Sequence, residues 1–527
     1  MRNDLENQFR QSDTMASVSV ADMGIDPQHC VTPERSDPCT IVIMGATGDL
    51  TARKLIPALF DLYLNSGLPE SFQIVGCGRT VLDDEGFRRI MESAMQNAAV
   101  QDSRRWPAFA AALHYRPIGY ENLASFRRLA KYLEQLDREH STRGNRIFYI
   151  ALPPTLYQPV AQMIGQAGLS AEMTNGNGWS RIVVEKPFGT DLQSSMDLDH
   201  GLHEHFREHQ IFRIDHYLAK ETVQNILMFR FANSLFEPIW NRRYVDYVRV
   251  TATEILGVEH RAGYYEQSGV LRDMFQNHMM QLLAMTAMEP PSRFEADLVR
   301  DETSKVFRAL RPFPVDELND YLVLGQYSAG TIDGKLVPAY RQEPGVDSNS
   351  TTPTYAMMKV FLDNWRWQGV PFYMTSGKRL ADKRTEIAIQ FKTVPHSMFR
   401  HVLGEAILAN RLTLGIHPDE KITLTFQTKN PGAVVCLRTV TMDFLYHQNY
   451  SGPILDAYEK VLLDCMLGDQ MLFWRQDGVE RSWAFLTPIL TGCENVDEPQ
   501  RALHFYEAGS AGPQSAQALL PNYIQGQ

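Results

Sequence analysis

Asp215, His216, Tyr217 and Lys220 crowd into one run, FRIDHYLAKE (212–221). An apolar approach precedes it and the helix-like TVQNILMF follows, so the pattern predicts a strand handing over to a helix. A helix beginning near Tyr217 sets His216 and Lys220 on one side, four residues apart. Two bases beside the free N–H groups of a helix start make an anion site suited to a phosphomonoester. The same pattern also suits an ordinary helix start, with Asp215 as N-cap and two surface bases. The second constellation is GVLRDMFQNHMMQLLAM (269–285). Leu271, Met274, Phe275, Met279 and Leu282 mark its buried face, and His278 falls on that face. A buried imidazole needs a partner, and Asp215 at a strand end offers one. A carboxylate on one ring nitrogen leaves the other free to act as a base near neutral pH. A satisfied core histidine is the alternative.

Lys186 in EKPFG and Lys378 in SGKRL each follow a strand and can face a cleft, although a solvated lysine is the ordinary alternative. Glu254 and Asp273 adjoin apolar runs, where they can accept bonds from sugar hydroxyls or pair with a nearby base. MGATGDL (44–50) lies between a strand and a helix. A Gly-rich turn there lets backbone approach a pyrophosphate. Only Gly45 and Gly48 are present, short of the usual G-x-G-x-x-G, so ordinary strand-to-helix punctuation fits about as well. The next strand, FQIVGCG, ends at Arg79 with no acid placed to hold a ribose 2′-hydroxyl. An arginine there favours a 2′-phosphate, hence NADP over NAD; a solvated surface arginine is the competing reading.

These residues need a scaffold of some size. The chain has 527 residues, which predicts two domains. Apolar content of 44% and charged content of 21% are those of a globular protein. A net charge of −11 argues against general binding to nucleic acid or to anionic membrane. No apolar run is long enough to span a bilayer, and no secretory leader is expected. Six scattered cysteines without a CxxC pair predict free thiols in a reducing cytoplasm and no metal site.

Residues 1–38 read as a flexible polar tail. TIVIMG, FQIVGCG, RIFYIAL and RIVVEKPFG read as buried parallel strands, with helices at LTARKLIPALFDLYL and FRRLAKYLEQL. Pro57 is expected to kink the first of these helices. This alternation predicts a doubly wound, Rossmann-like sheet over 39–215, in an α/β domain. YVDYVRVTATEILGV, EIAIQF, KITLTFQT and VVCLRTVTMDF predict a large antiparallel sheet in an α+β domain over 216–505. Helical segments at 271–288, 355–364 and 453–466 interrupt it. Residues 328–353 form a long connection, and 506–527 read as a loose C-terminal tail.

The stretches GATGDLTARKLIPALF, FYIALPPTLY, VVEKPFGTDL, RIDHYLAKETVQN, LRDMFQNHMMQLLAM and DNWRWQGVPFYMTSGKRL occur in this order. Together they resemble the glucose-6-phosphate dehydrogenase family from about residue 40 to 505. The resemblance implies oxidation of glucose 6-phosphate at C1 with NADP as coenzyme, the first step of the oxidative pentose phosphate pathway. It implies a Rossmann-like coenzyme domain, a larger β+α domain that binds substrate and partner subunits, and a homodimer or homotetramer. His278 would be the general base, with Asp215 orienting it. His216, Tyr217 and Lys220 would hold the 6-phosphate. Lys186, Glu254, Asp273 and Lys378 would bind sugar hydroxyls, with Lys383 also on the substrate. Gly45, Thr47, Gly48, Asp49 and Leu50 would form the coenzyme turn, Arg79 would meet the 2′-phosphate, and Tyr149 and Lys186 would line the coenzyme site. The proline of EKP resembles one the family often holds cis. Ala219 stands where the family pattern has glycine, and His417 where glutamine is expected. Thr375 and Leu324 each replace an arginine common among relatives. Several of these positions resemble those of a second, structural NADP in some animal enzymes, and their changed identities argue against that site here.

Overall fold

The computed structural model describes residues 36–97, 103–172, 178–399, 401, 407–432, 436–446, 455–494 and 503–521. The expected N-terminal tail lies outside these as far as residue 35. Ser36 is already buried and Cys39 opens the first strand.

Six strands form the first sheet: β1 (Cys39–Met44), β2 (Phe72–Gly78), β3 (Leu113–Pro117), β4 (Arg146–Ile150), β5 (Ser180–Val184) and β6 (Ile211–Arg213). Their order is β3-β2-β1-β4-β5-β6 and every pairing is parallel, the doubly wound arrangement expected. Such strands are covered on both faces, which is why they read as continuous apolar runs rather than alternating ones. Pro57 falls where the helical run changes register: Thr51–Leu55 is π-helical, the α-helix runs from Ile56, and Pro57 lies in the first turn of that α-helix.

The second sheet draws on strands from 245 onward. These are β7 (Val245–Thr253), β8 (Leu322–Ser328), the short hairpin strands β9 (Gly330–Ile332) and β10 (Lys335–Val337), and β11 (Tyr355–Val360). Next come β12 (Phe372–Gly377), β13 (Arg384–Phe391), β14 (Arg411–His417), β15 (Lys421–Lys429), β16 (Leu437–Leu445) and β17 (Leu503–Glu507). Nine of them pair in the order β16-β15-β14-β13-β7-β12-β11-β8-β17. The sheet is mixed rather than antiparallel, because β12 runs parallel to β7 and β17 parallel to β8. The hairpin β9–β10 takes up part of the long connection expected at 328–353.

Two expectations fail in this half. Residues 355–360 are the strand β11, not a helix. Its alanine, methionines and lysine favour helix locally, but pairing with β12 and β8 and burial on both faces override that preference. The C-terminal segment is not loose as far as residue 521. β17 joins the sheet edge, and Ala516, Leu519 and Leu520 are buried beside Tyr327 and Tyr355. The helices at 271–288 and 453–466 are present, as a π-helix (Leu271–Met279) running into an α-helix (Met280–Ala287), and as Ala457–Leu467. Of the six cysteines, the five described are free.

The helix Ala457–Leu467 returns to the first sheet. Its Val461, Leu462, Cys465 and Met466 share one apolar cluster with Ile41, Ile43, Ile147, Val183 and Phe212. Gly468 ends the helix in the left-handed region (φ 81°), and Arg181 of β5 donates to the carbonyls of Cys465 and Met466 at 2.6 and 2.7 Å.

Candidate active site

The chemistry gathers beyond the C-terminal ends of β1, β5 and β6, where a doubly wound sheet leaves its crevice. Asp215 follows β6, and the helix from Leu271 carries His278 across from it. His278 Nδ1 donates to Asp215 Oδ1 at 2.6 Å, and Lys186 Nζ, just after β5, donates to His278 Nε2 at 3.0 Å. An acceptor on one nitrogen and a cation on the other dictate the tautomer. Nδ1 carries the hydrogen and Nε2 holds the lone pair. Burial pushes the imidazole below its ordinary pKa, the nearby Lys186 ammonium lowers it further, and Asp215 only partly offsets this. Burial also works against the Asp215 charge, but His278, the Tyr217 N–H and Lys186 together hold that carboxyl below the usual range. The ring is held from other sides too. Tyr217 stacks on it with centroids 4.1 Å apart, and Trp474 Nε1 donates to Asp215 Oδ2 at 3.4 Å.

Lys186, Asp273, Glu254 and Lys378 form a polar wall around this dyad. The Lys186–Pro187 bond is cis, as expected. Lys186 Nζ also donates to the Asp273 carbonyl at 3.2 Å and lies 3.4 Å from Asp273 Oδ1, which takes a further bond from Tyr264 Oη. Lys378 pairs with Glu254, and Tyr506 Oη donates to the Lys378 carbonyl at 2.6 Å.

The expected helix beginning near Tyr217 is not formed. Residues 216–219 are a turn, the helix runs Glu221–Phe231, and Lys220 is its N-cap. Asp215 accepts from the Tyr217 N–H at 2.9 Å, and this local side-chain bond holds the turn in place of helix. His216 and Lys220 therefore do not share a helix face. Lys220 lies over the Tyr217 ring, 4.5 Å from its centroid, and feels Lys383, while both lysines act on His417. Burial and then Lys383 lower the Lys220 pKa, with Glu420 opposing; burial, Lys383 and Lys220 likewise lower that of His417. A cluster of like charges of this kind fits an anion. His216 instead faces Glu185, with Nε2 3.1 Å from Oε2. Ala219 is buried in the turn and outside the left-handed region, so alanine fits there without strain.

At the end of β1, Gly45 has φ 90°, and a Cβ on it would lie 2.2 Å from the Ala151 carbonyl oxygen. Only glycine fits this position. Thr47 and Asp49 are exposed and Leu50 half-buried along the turn, with Asp49 paired to Arg53 at 2.6 Å. Arg79 stands exposed just past β2, close enough to influence Tyr120. This open backbone cradle fits the diphosphate of a dinucleotide. Tyr149 differs from expectation. It is fully buried in β4, and its hydroxyl donates to Glu185 Oε1 at 2.5 Å rather than lining an open wall.

Glu185, Tyr264, Trp474 and Tyr458 were not singled out from sequence. Glu185 sits in the EKPFG motif, but a Glu-Lys pair after a strand looks like surface punctuation. Trp474 and Tyr458 come from the far end of the chain, and only the fold brings them here.

Two family models match the chain in tandem. "Glucose-6-phosphate dehydrogenase, NAD binding domain" covers residues 42–225, and "Glucose-6-phosphate dehydrogenase, C-terminal domain" covers 227–525. The chain is 45% identical over 486 residues to the glucose-6-phosphate 1-dehydrogenase of Aggregatibacter actinomycetemcomitans, covering 92% of this chain and 96% of that one. It is 42% identical over 480 residues to that of Bacillus subtilis strain 168, covering 91% and 96%. Among solved structures, a glucose-6-phosphate dehydrogenase in complex with its substrate glucose-6-phosphate matches with a TM-score of 0.84 at 34% identity, over 94% of this chain and 99% of that one. The glucose-6-phosphate 1-dehydrogenase of Mycobacterium avium matches with a TM-score of 0.77 at 30% identity, over 92% and 97%.

Proposed function

The chain belongs to the glucose-6-phosphate dehydrogenase family, and from that membership we propose how its residues work. The enzyme oxidises glucose 6-phosphate at C1 to 6-phosphoglucono-δ-lactone, the first step of the oxidative pentose phosphate pathway. NADP+ supplies the hydride acceptor. His278 takes the C1 hydroxyl proton at Nε2, and Asp215 stays ionised to stabilise the imidazolium that forms. Lys186 covers Nε2 in the free enzyme, so the incoming hydroxyl takes its place and leaves the ammonium beside the C1 oxygen. Asp273, Glu254 and Lys378 hold the sugar hydroxyls. Tyr217, Lys220 and Lys383 meet the 6-phosphate from one side and His216 from the other. Gly45, Thr47, Gly48, Asp49 and Leu50 cradle the coenzyme diphosphate, and Arg79 pairs with the 2′-phosphate.

The observation that carries this reading is the chain Asp215–His278–Lys186, which leaves one nitrogen as proton acceptor. The test mixes the protein with glucose 6-phosphate and either NADP+ or NAD+ and follows the absorbance of the reduced nicotinamide. No turnover with either coenzyme refutes the assignment, and a preference for NAD+ refutes the role of Arg79. Arg79→Ala is expected to cut the NADP+ preference by about tenfold or more, the worth of one charge-assisted phosphate bond.

The acid side of the pH profile follows from His278. The base works deprotonated, and its pKa lies below the ordinary 6.5. Turnover therefore persists as pH falls through 6.5 and is lost only below it. An acid limb above 6.5 in kcat/KM would show that Asp215 outweighs burial and Lys186 together.

The protein acts as a homodimer or homotetramer in the cytoplasm. Met442 and Phe444 on one face of the edge strand β16 stand 61% and 54% exposed, a row suited to a second copy. Light scattering reads the mass directly, and a single chain of 60.0 kDa would overturn this assembly. The exposed free thiol of Cys436 is in keeping with a reducing compartment.

A further inference from the structure

β5 and β6 lie side by side, and each is followed by an acid and then a base, Glu185-Lys186 and Asp215-His216. The four residues pair crosswise. Lys186 and Asp215 meet on the His278 ring, while Glu185 reaches over to His216. Glu185 is thus the centre of a second acid–base dyad, one with no place in the proton-abstraction step.

The details of that dyad are specific. Glu185 is buried. Its Oε1 accepts from Tyr149 Oη at 2.5 Å and its Oε2 faces His216 Nε2 at 3.1 Å. Burial opposes its charge, but His216, the Tyr149 hydroxyl and Lys186 together hold the carboxyl below the usual range. The His216 ring lies against Tyr458, centroids 4.3 Å apart, and its Nδ1 is buried without a protein partner. An unpaired buried polar atom carries a cost, and such atoms concentrate where a ligand completes the bonding.

We propose that Glu185 is a positioning residue for the substrate's phosphate. With Tyr149 fixed behind it, the carboxylate accepts from Nε2–H and holds the imidazole plane. Nδ1 is then the one nitrogen left to donate to a phosphate oxygen. A carboxylate in this place also offsets the charge of a ring that carries hydrogen on both nitrogens, the form that best meets a dianion. This rests on the reading above that His216 binds the 6-phosphate.

The test uses Glu185→Gln, His216→Ala and the double variant, with KM for glucose 6-phosphate, KM for NADP+ and kcat measured for each. Glu185→Gln keeps the shape and removes the charge, and is expected to raise the substrate KM about tenfold. The expected kcat and coenzyme KM stay within about threefold of the parent, because the reacting atoms and the coenzyme turn are untouched. The double variant is expected to be no worse than His216→Ala alone, since the two residues act as one unit. Effects that multiply in the double variant overturn the proposal. So does a coenzyme KM or kcat that worsens as much as the substrate KM, which marks a general structural defect. Tyr149→Phe removes a single bond to the same carboxylate and serves if Glu185→Gln does not fold. It raises the substrate KM in the same direction by a smaller factor, and an unchanged KM overturns the proposal. If His216→Ala itself leaves the substrate KM unchanged, the phosphate reading fails, and the role of Glu185 falls with it.

Discussion

Replacing His278 with asparagine is expected to lower kcat by about 10²–10⁴-fold, the usual worth of a positioned general base. The asparagine amide can still donate to Asp215 in place of Nδ1–H, so the buried carboxylate keeps a partner and the fold is preserved. What disappears is the nitrogen lone pair that now faces Lys186 at 3.0 Å. Substrate and coenzyme contacts lie on other residues, so both KM values should change little. Steady-state kinetics together with an unfolding midpoint checks both halves of this result. Turnover within about tenfold of the parent would show that another group removes the proton.

The second large effect is on stability. Arg213, at the end of β6, is 3% exposed and donates to Asp199 Oδ1 at 2.5 Å and to both oxygens of Glu208 at 2.8 and 3.1 Å. His203 closes the ring, 2.9 Å from Asp199 Oδ2 and 3.1 Å from Glu208 Oε2. The His203 pKa is pushed up to about 10 by its bonds to Asp199 and Glu208, against burial. The ring therefore stays charged at neutral pH, and its contribution, full below the ordinary 6.5, falls progressively above it and is gone once pH has risen through about 10. The network balances two anions with two cations. Arg213→Met removes one cation and leaves the buried Asp199 and the half-buried Glu208 with His203 as their remaining cation. The expected loss is about 3–5 kcal/mol, the cost of breaking a buried pair by removing one partner. Urea unfolding monitored by tryptophan fluorescence reads this as a lower midpoint. A loss below about 1 kcal/mol would mean that His203 and solvent compensate the pair.

Arg213 ends β6 and Asp215, the partner of His278, follows two residues on, yet the two effects were not equally visible in the sequence. His278 was legible because a polar residue on the apolar face of a helix demands a partner, and a strand-end aspartate is a natural one. Arg213 was hidden because a lone arginine in a short strand looks like an edge residue. Its partners Asp199, His203 and Glu208 lie on and just after the helix Leu192–His203, whose outward face carries Asp197 and His200. The turn at 216–219 was misread as helix because its hydrogen-bond acceptor is the same Asp215 that serves the base. The strand β11 was misread because methionine and alanine favour helix, while its burial between two neighbours is set by chain far away. The parallel first sheet was plain, since burial on both faces writes itself as unbroken β-branched runs. β3 was the exception, as LHYRP carries polar residues on an edge strand. Glu185 was the most instructive omission: its charge was in view, and its burial was not.

The helix Ala457–Leu467 that covers the first sheet has a consequence for how the protein is made. All six strands of that sheet have been synthesised once Arg213 is added. At about 5–20 residues per second, the roughly 250 residues up to Leu467 take on the order of 10–50 s more. During that interval Ile41, Ile147 and Val183 have no Val461, Leu462 or Met466 to cover them. The nascent coenzyme domain thus waits with part of an apolar face uncovered, and a chaperone that shields such surfaces has its longest opportunity there. Tyr506, which holds the Lys378 carbonyl, arrives later still. A site that draws on residues so far apart in the sequence becomes competent only once Tyr506 is in place, so a ribosome stalled between Leu467 and Tyr506 leaves Lys378 without that bond.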